Sequence, residues 1–333
     1  MVAHVGVVGA GSWGTALAKL LCENGHEATL WARRKELVQA MRATRHNDGY
    51  LPGVLLPERL KFSDSLPEVA ALAEYLLIAA PSHALRTVLS ALPPLAPNCI
   101  LISAVKGIEP DTHLRMSQVI AATLKSRVPL AALSGPSMAI EVAQHIPTAI
   151  VVACEDLEIA RRVQNLLLST FFRVYHHRDV AGVELGGALK NIIALAAGIA
   201  DGAGFGDNTL AALINRGLVE ITRLGVRLSA DAMTFAGLSG MGDLVLTCMS
   251  KKSRNRFVGQ QIGQGKMLQE VLGQMNMVAE GVRTTKAAHS LAQKYHLEMP
   301  ITQEVYQVLF ENKNPRLAVN DLMGREAKME KFE

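Results

Sequence analysis

From residue 2 to about residue 175, short runs of β-branched and aliphatic side chains alternate with segments of helical periodicity. Val5-Gly6-Val7-Val8 reads as a strand. Ser12–Glu23 then places Ala16, Leu17, Leu20 and Leu21 on one helical face and is closed by Gly25. Residues 28–31, 76–80, 100–103, 131–134, 149–153 and 172–175 repeat the apolar strand signature, with helix-like segments between most of them. Strands that are apolar throughout, separated in this way, predict βαβ units and a parallel sheet covered on both faces.

Beyond about residue 180 the pattern changes. Residues 183–200, 209–224, 279–294 and 301–310 carry helical spacing broken by Gly or Pro, with no convincing strand between them. The chain therefore divides into an α/β domain over 1–180 and an all-helical domain over 181–333. No repeat of 20 to 50 residues is present, and residues 325–333 alternate charges as a frayed tail does.

Composition narrows the class. Of 333 residues, 49% are hydrophobic and 19% charged, which excludes a disordered or collagen-like chain. At this length one core is near its size limit, so two domains are the expectation. The net charge of +4 is too small for a protein that coats DNA or an anionic membrane. Cys22, Cys99, Cys154 and Cys248 lie far apart with no Cys-x-x-Cys pair, which implies four buried thiols, no disulfide framework and no structural metal. The N-terminus has no charged n-region, and the longest apolar stretch, 192–200, is under half the ~20 residues of a membrane span. Cytoplasmic residence is the expectation.

Gly9-Ala10-Gly11-Ser12-Trp13-Gly14 is a G-x-G-x-x-G that follows a strand and opens a helix. In that context Gly9 permits the tight turn, Gly11 lets the backbone approach a pyrophosphate, and Gly14 allows close helix–strand packing. The helix N-terminus adds unpaired N–H groups and a partial positive charge. The expected fold is thus Rossmann-like, a doubly wound, mostly parallel sheet followed by an all-helical C-terminal domain, with the active site in the crevice between them. About 20 residues on, where an acid would bind the ribose of NAD, stand Arg33 and Arg34, with no carboxylate from 28 through 35. Two guanidiniums suit a 2′-phosphate, so NADPH is preferred and NADH remains possible. Two solvated arginines with cofactor choice made elsewhere would look the same.

A nicotinamide enzyme that reduces a ketone needs a positioned acid. Lys190-Asn191 interrupts an otherwise apolar helix, where a lysine is costly unless partnered; a lysine snorkelling at a helix edge is the alternative. Lys106 follows a strand and lies at the carboxyl edge of the sheet, where such folds bind ligands, or it is an ordinary loop lysine. Gly135-Pro136-Ser137 precedes a helix and can cradle an anion, or Ser137 can simply cap that helix. Asp243 either caps its helix or orients a lysine. Lys251-Lys-Ser-Arg-Asn-Arg256, the one concentrated basic patch, suits a phosphate-bearing substrate through Arg254 and Asn255, or is a solvated turn. The adjacent His176 and His177 point to opposite faces of a strand and share no metal.

Taken in order, GAGSWGTALA, PSH (81–83), KG (106–107), GPS (135–137), ELGGALKNIIALAAGI (184–199), GDLVLTC (242–248) and SRNR (253–256) resemble the bacterial-type NAD(P)-dependent glycerol-3-phosphate dehydrogenase family over nearly the whole chain. The resemblance implies reversible reduction of dihydroxyacetone phosphate to sn-glycerol 3-phosphate for glycerophospholipid synthesis. It implies Lys190 as acid/base, with Lys106, Asn191, Asp243 and Thr247 organising the reacting end. Arg254, Asn255 and Ser253 would bind substrate, with Gly135 and Ser137 beside it. Ser12, Trp13, Arg33, Arg34, Lys106, Ala139, Arg254, Val278 and Glu280 would line the cofactor site with Gly9, Gly11 and Gly14. The chain departs from the family at Leu210, commonly Lys, and Asn215, commonly Thr.

Two other readings share parts of this pattern. A two-domain dehydrogenase of hydroxy or sugar acids has the same fingerprint but no need of the cluster around Arg254. A non-catalytic NADPH sensor or nucleic-acid partner would use the 251–256 patch instead. The substrate is a small molecule and no nucleic-acid or membrane partner is expected; helical second domains often form homodimers, but no interface follows from the sequence.

Overall fold

The apolar runs of the first half become strands β1 (His4–Val8), β2 (Glu27–Trp31), β3 (Lys61–Ser63), β4 (Tyr75–Ile78), β5 (Ile100–Ser103), β6 (Leu130–Ser134), β7 (Thr148–Ala153) and β8 (Phe172–His177) in a computed structural model that describes residues 2–275, 278–327 and 329–330. They form one sheet in the order β3-β2-β1-β4-β5-β6-β7-β8. All neighbours run parallel except β6 and β7, which pair antiparallel from Ala132 opposite Ala153 to Ser134 opposite Val151. β2 and β3 are added to one side of β1 and β4 onward to the other, so the strand order reverses between β1 and β4, the switch point at which open α/β sheets bind ligands. β3 was not expected: Lys61-Phe62-Ser63 has one apolar residue and no run, and its place is set by pairing with Thr29–Trp31 of β2.

Helices α1 (Ser12–Glu23), α2 (Lys35–Thr44), α3 (Leu66–Ala71), α4 (Leu85–Ser90), α5 (Met116–Thr123), α6 (Ala139–Ala143) and α7 (Leu157–Leu167) connect the strands. α1 buries Ala16, Leu17, Leu20 and Leu21 against the sheet core. It ends as the sequence suggests: Gly25 is left-handed (φ +92°), and His26 N–H reaches back to Leu21 O at 3.0 Å.

The second half folds into α8 (Val180–Gly202), α9 (Asp207–Arg227), α10 (Asp243–Met249), α11 (Arg254–Gly263), α12 (Leu268–Gly273), α13 (Glu280–Lys294), α14 (Pro300–Phe310) and α15 (Pro315–Met323), with a π-helical turn over Leu238–Gly242 leading into α10. α8 is buried from Gly182 through Ala200, as a helix apolar on all sides must be. It has the length and hydropathy of a membrane span, but its apolar window is wholly buried within the protein. Its polar exceptions are Glu184, Lys190 and Asn191. The tail expected over 325–333 lies partly outside the described residues.

The chain divides into two compact units, 1–105 with 116–180, and 106–115 with 181–333. The segment 106–115 leaves the α/β unit between β5 and α5 and belongs to the helical one, a step that a reading of successive elements does not reveal. All four cysteines are buried and unpaired.

Candidate active site

In the α/β unit the glycine turn joins β1 to α1. Gly9 has φ +119°, and its N–H donates to Trp31 O at 3.1 Å. A Cβ on Gly14 would lie 1.9 Å from Gly9 O, so helix and turn can meet only without one. Gly11 differs: a Cβ there would have no protein atom within 4 Å. Internal packing therefore does not ask for glycine at position 11, whereas close approach of a phosphate does. α1 has no side-chain cap and no acid in its first turn, which leaves its terminal N–H groups suited to an anion. These features fit a dinucleotide pyrophosphate.

Around that turn, Ser12 Oγ donates to Tyr50 O at 2.5 Å, and Trp13 packs toward Phe172, ring centroids 6.5 Å apart. Arg33 and Arg34 are exposed just beyond β2, and Arg34 donates to the Tyr50 hydroxyl at 3.2 Å. Ala139 opens the short α6. Gly135 has φ +131°, and a Cβ on it would meet Ile150 Cα at 2.9 Å. Ser137 does not cap α6: Met138 holds that position, and the Ser137 hydroxyl donates to Gly135 O at 3.1 Å. Sequence reasoning missed Asn47, which is buried and donates to Ala10 O at 3.0 Å and Thr15 Oγ at 2.8 Å, pinning the turn. An asparagine in a loop far from the fingerprint carries no signal of that task.

In the helical unit four residues converge. Lys190 Nζ donates to Asp243 Oδ1 at 2.5 Å and to Thr247 Oγ at 2.6 Å, while Lys106 Nζ donates to Asp243 Oδ2 at 2.6 Å. Thr247 passes its own proton to Asp243 O, one helical turn back, so its oxygen is oriented to accept from Lys190. Asp243 is 1% exposed and Lys190 7%. Asp243 is no helix cap, since Gly242 occupies that place and the carboxylate faces the lysines. Lys190 does not snorkel. Burial lowers its pKa to about 8; Asp243 pulls it up, and the Lys106 charge pushes it further down. Two cations share one carboxylate, so the cluster carries a net positive charge. An ammonium has three protons, and two are committed to Asp243 and Thr247, which leaves one to give. Cys248, next along α10, is held by burial as a thiol, its pKa pushed up to about 12.

The basic segment is split by the fold. Ser253 caps α11 by accepting from Arg256 N–H, Arg254 is exposed at the first turn, and Arg256 pairs with Asp201 at 2.9 Å. Asn255 is buried: Nδ2 donates to Asn191 Oδ1 at 2.9 Å, and Oδ1 accepts from Gly281 N–H at 3.0 Å. α11 reaches α8 this closely because Gly198 and Gly259 face it; Cβ atoms there would sit 2.0 and 2.2 Å from opposing carbonyl oxygens. The 251–256 segment is thus not a continuous basic surface. Val278 and Glu280 lie at the start of α13, partly exposed. Leu210 packs on the helical core and Asn215 is exposed, and neither is bonded to Lys190.

Two family models match the chain, the NAD-dependent glycerol-3-phosphate dehydrogenase N-terminus over residues 4–160 and its C-terminus over residues 179–320. Proteins named glycerol-3-phosphate dehydrogenase [NAD(P)+] from Geobacter metallireducens and Syntrophotalea carbinolica are each 55% identical over 330 residues, covering 98% of this chain and 98% and 99% of theirs. Among solved structures, a glycerol-3-phosphate dehydrogenase from Coxiella burnetii is similar with a TM-score of 0.92 and 38% identity, covering 97% of this chain and 99% of that one.

Proposed function

Because the chain belongs to the NAD-dependent glycerol-3-phosphate dehydrogenase family, we propose that it interconverts dihydroxyacetone phosphate and sn-glycerol 3-phosphate with Lys190 as the acid/base. The observation that carries the Lys190 assignment is its burial on Asp243 and Thr247 with one proton to spare. A bound dihydronicotinamide supplies the hydride. Gly9, Gly11, Ser12, Trp13, Gly14 and Ala139 of the α/β unit hold that cofactor in this reading, and the family resemblance assigns Lys106, Arg254, Val278 and Glu280 to the same task. Arg33 and Arg34, exposed and with no acid from 28 through 35, favour NADPH over NADH.

Lys190 donates its remaining proton to the ketone oxygen as charge develops there, and Asp243 and Thr247 fix the direction in which the ammonium points. Lys106 keeps the Asp243 carboxylate neutralised when Lys190 becomes neutral. Arg254, with Ser253 and Asn255, receives the substrate phosphate, while Asn191 holds Asn255 in place. The family resemblance assigns substrate contacts to Gly135 and Ser137 as well. In the reducing direction the product supplies glycerophospholipid synthesis. The buried free thiols suit a reducing compartment such as the cytoplasm.

The test is loss of 340 nm absorbance with NADPH or NADH and with dihydroxyacetone phosphate or unphosphorylated dihydroxyacetone, as a function of pH. Turnover that requires the phosphate and prefers NADPH is expected. Ketone reduction needs protonated Lys190 and so falls as pH rises through about 8, whereas alcohol oxidation rises through the same range. Equal turnover of the unphosphorylated ketone would refute the phosphate assignment, no turnover with either cofactor in a folded sample that binds NADPH would return the substrate to the hydroxy acids, and equal use of NADH would move cofactor choice away from Arg33 and Arg34.

A further inference from the structure

Between β5 and α5 the chain makes a small hairpin that packs with the helical unit. Ile108 and Arg115 face each other in an antiparallel bridge, Glu109 N–H donates to Leu114 O at 3.0 Å, and His113 turns the chain with φ +59°. Side chains attach the hairpin. Lys106 Nζ lies on Asp243, Ile108 is 2% exposed within the helical core, and Arg115 Nη1 lies 2.5 Å from Glu184 Oε2. Glu184 is buried on α8, six residues or about 9 Å of helix before Lys190. Arg115 and Lys106 are thus tied to α8 and α10 from one hairpin.

The chemistry of Lys106 makes this attachment consequential. Its ammonium is a point charge on a flexible four-carbon stem, so its position depends on the backbone that carries it. Glu184 is a buried carboxylate, which is costly unless it is paired. We propose that the Arg115–Glu184 pair is a positioning element that ties the 106–115 hairpin to α8 and thereby keeps Lys106 Nζ on Asp243. The proposal rests on the reading of Lys190 as acid/base.

Its consequence follows from the groups around Lys190, which are Asp243, Thr247 and Cys248 from α10 and Lys106 from the hairpin. Lys106 disfavours the charged form of Lys190 and Asp243 favours it. Releasing the hairpin removes a cation and leaves Asp243 to Lys190 alone. Both changes move the titration of Lys190 upward from about 8, toward the ordinary lysine value near 10.4.

The pH dependence of kcat, in both reaction directions, tests this. Lys106→Met sets the reference, an upward displacement of the limb near pH 8 by about one pH unit. The double variant Arg115→Met with Glu184→Met removes the pair without stranding a buried charge. It is expected to displace the limb the same way, and to add nothing in the Lys106→Met background. Reversing the pair, Arg115→Glu with Glu184→Arg, should bring the limb back. Arg115→Lys should leave it in place, and Glu184→Gln should move it partway; these two serve if the double variant fails to fold. An unmoved limb in the double variant or in Glu184→Gln, with Lys106→Met displaced, overturns the proposal and leaves the pair a structural contact. An unmoved limb in Lys106→Met, or a limb that survives in Lys190→Met, overturns the acid/base reading instead.

Discussion

The glycine turn of the α/β unit and the lysine cluster of the helical unit are built on opposite principles. At the turn the groups suited to a ligand are backbone N–H groups, and the residues that matter do so by lacking side chains; six consecutive positions, 9 to 14, contain most of it. In the cluster the groups brought together are side chains from positions 106, 190, 243 and 247, joined through the Asp243 carboxylate and the Thr247 hydroxyl. A backbone site is local and shares its atoms with the fold. A side-chain site is assembled by packing and can be disabled without unfolding the protein.

The largest effect expected from that contrast is at Lys190. Lys190→Met should lower kcat by at least about 100-fold while NADPH affinity, followed by quenching of tryptophan fluorescence, stays near that of the native chain. Retention of most activity would take the acid/base role away from this residue.

Next comes the turn. Gly11→Ala has room in the fold, so the unit should melt as before. Cofactor binding should nonetheless weaken by about tenfold, or about 1.4 kcal/mol, as measured by calorimetric titration. Unchanged affinity would mean that no phosphate approaches there. Gly14→Ala sharpens the comparison, because a Cβ 1.9 Å from Gly9 O should lower the melting temperature as well as the affinity.

A smaller change is expected at the arginines. Replacing Arg33 and Arg34 with Gln should narrow the ratio of kcat/KM for NADPH over NADH several-fold and leave kcat with saturating NADH unaltered; an unchanged ratio would place cofactor choice elsewhere.

The smallest effect concerns a buried charge satisfied by backbone, the converse of Lys190. Glu220 accepts from Ile301 N–H, Thr302 N–H and the Thr302 hydroxyl, closing the start of α14, and burial raises its pKa to about 7. The folded chain therefore binds more protons than the unfolded chain from about pH 4.5 to 7, and this contribution to stability declines as pH rises through that window. Glu220→Gln should flatten the dependence and cost about 1 kcal/mol for the acceptor it loses. Denaturant melts at pH 5 and pH 7 check it, and an identical slope in both proteins would refute it.

Patterning alone determined the strand–helix alternation, the switch to an all-helical second half and the glycine fingerprint, because these depend on neighbours a few residues apart. It also singled out Lys190, since a charge inside an apolar helix is conspicuous without any partner in view. Tertiary structure decided the rest. Only packing brought Asp243 to face two lysines rather than cap α10, sent the 106–115 hairpin into the helical unit, and turned Asn255 inward between Asn191 and Gly281. β3, Asn47 and the Arg115–Glu184 pair were silent in the sequence for the same reason. Periodicity records which face of an element is buried, but the partner of a polar side chain is fixed by contacts between residues 69 or 137 positions apart, and no local pattern encodes them.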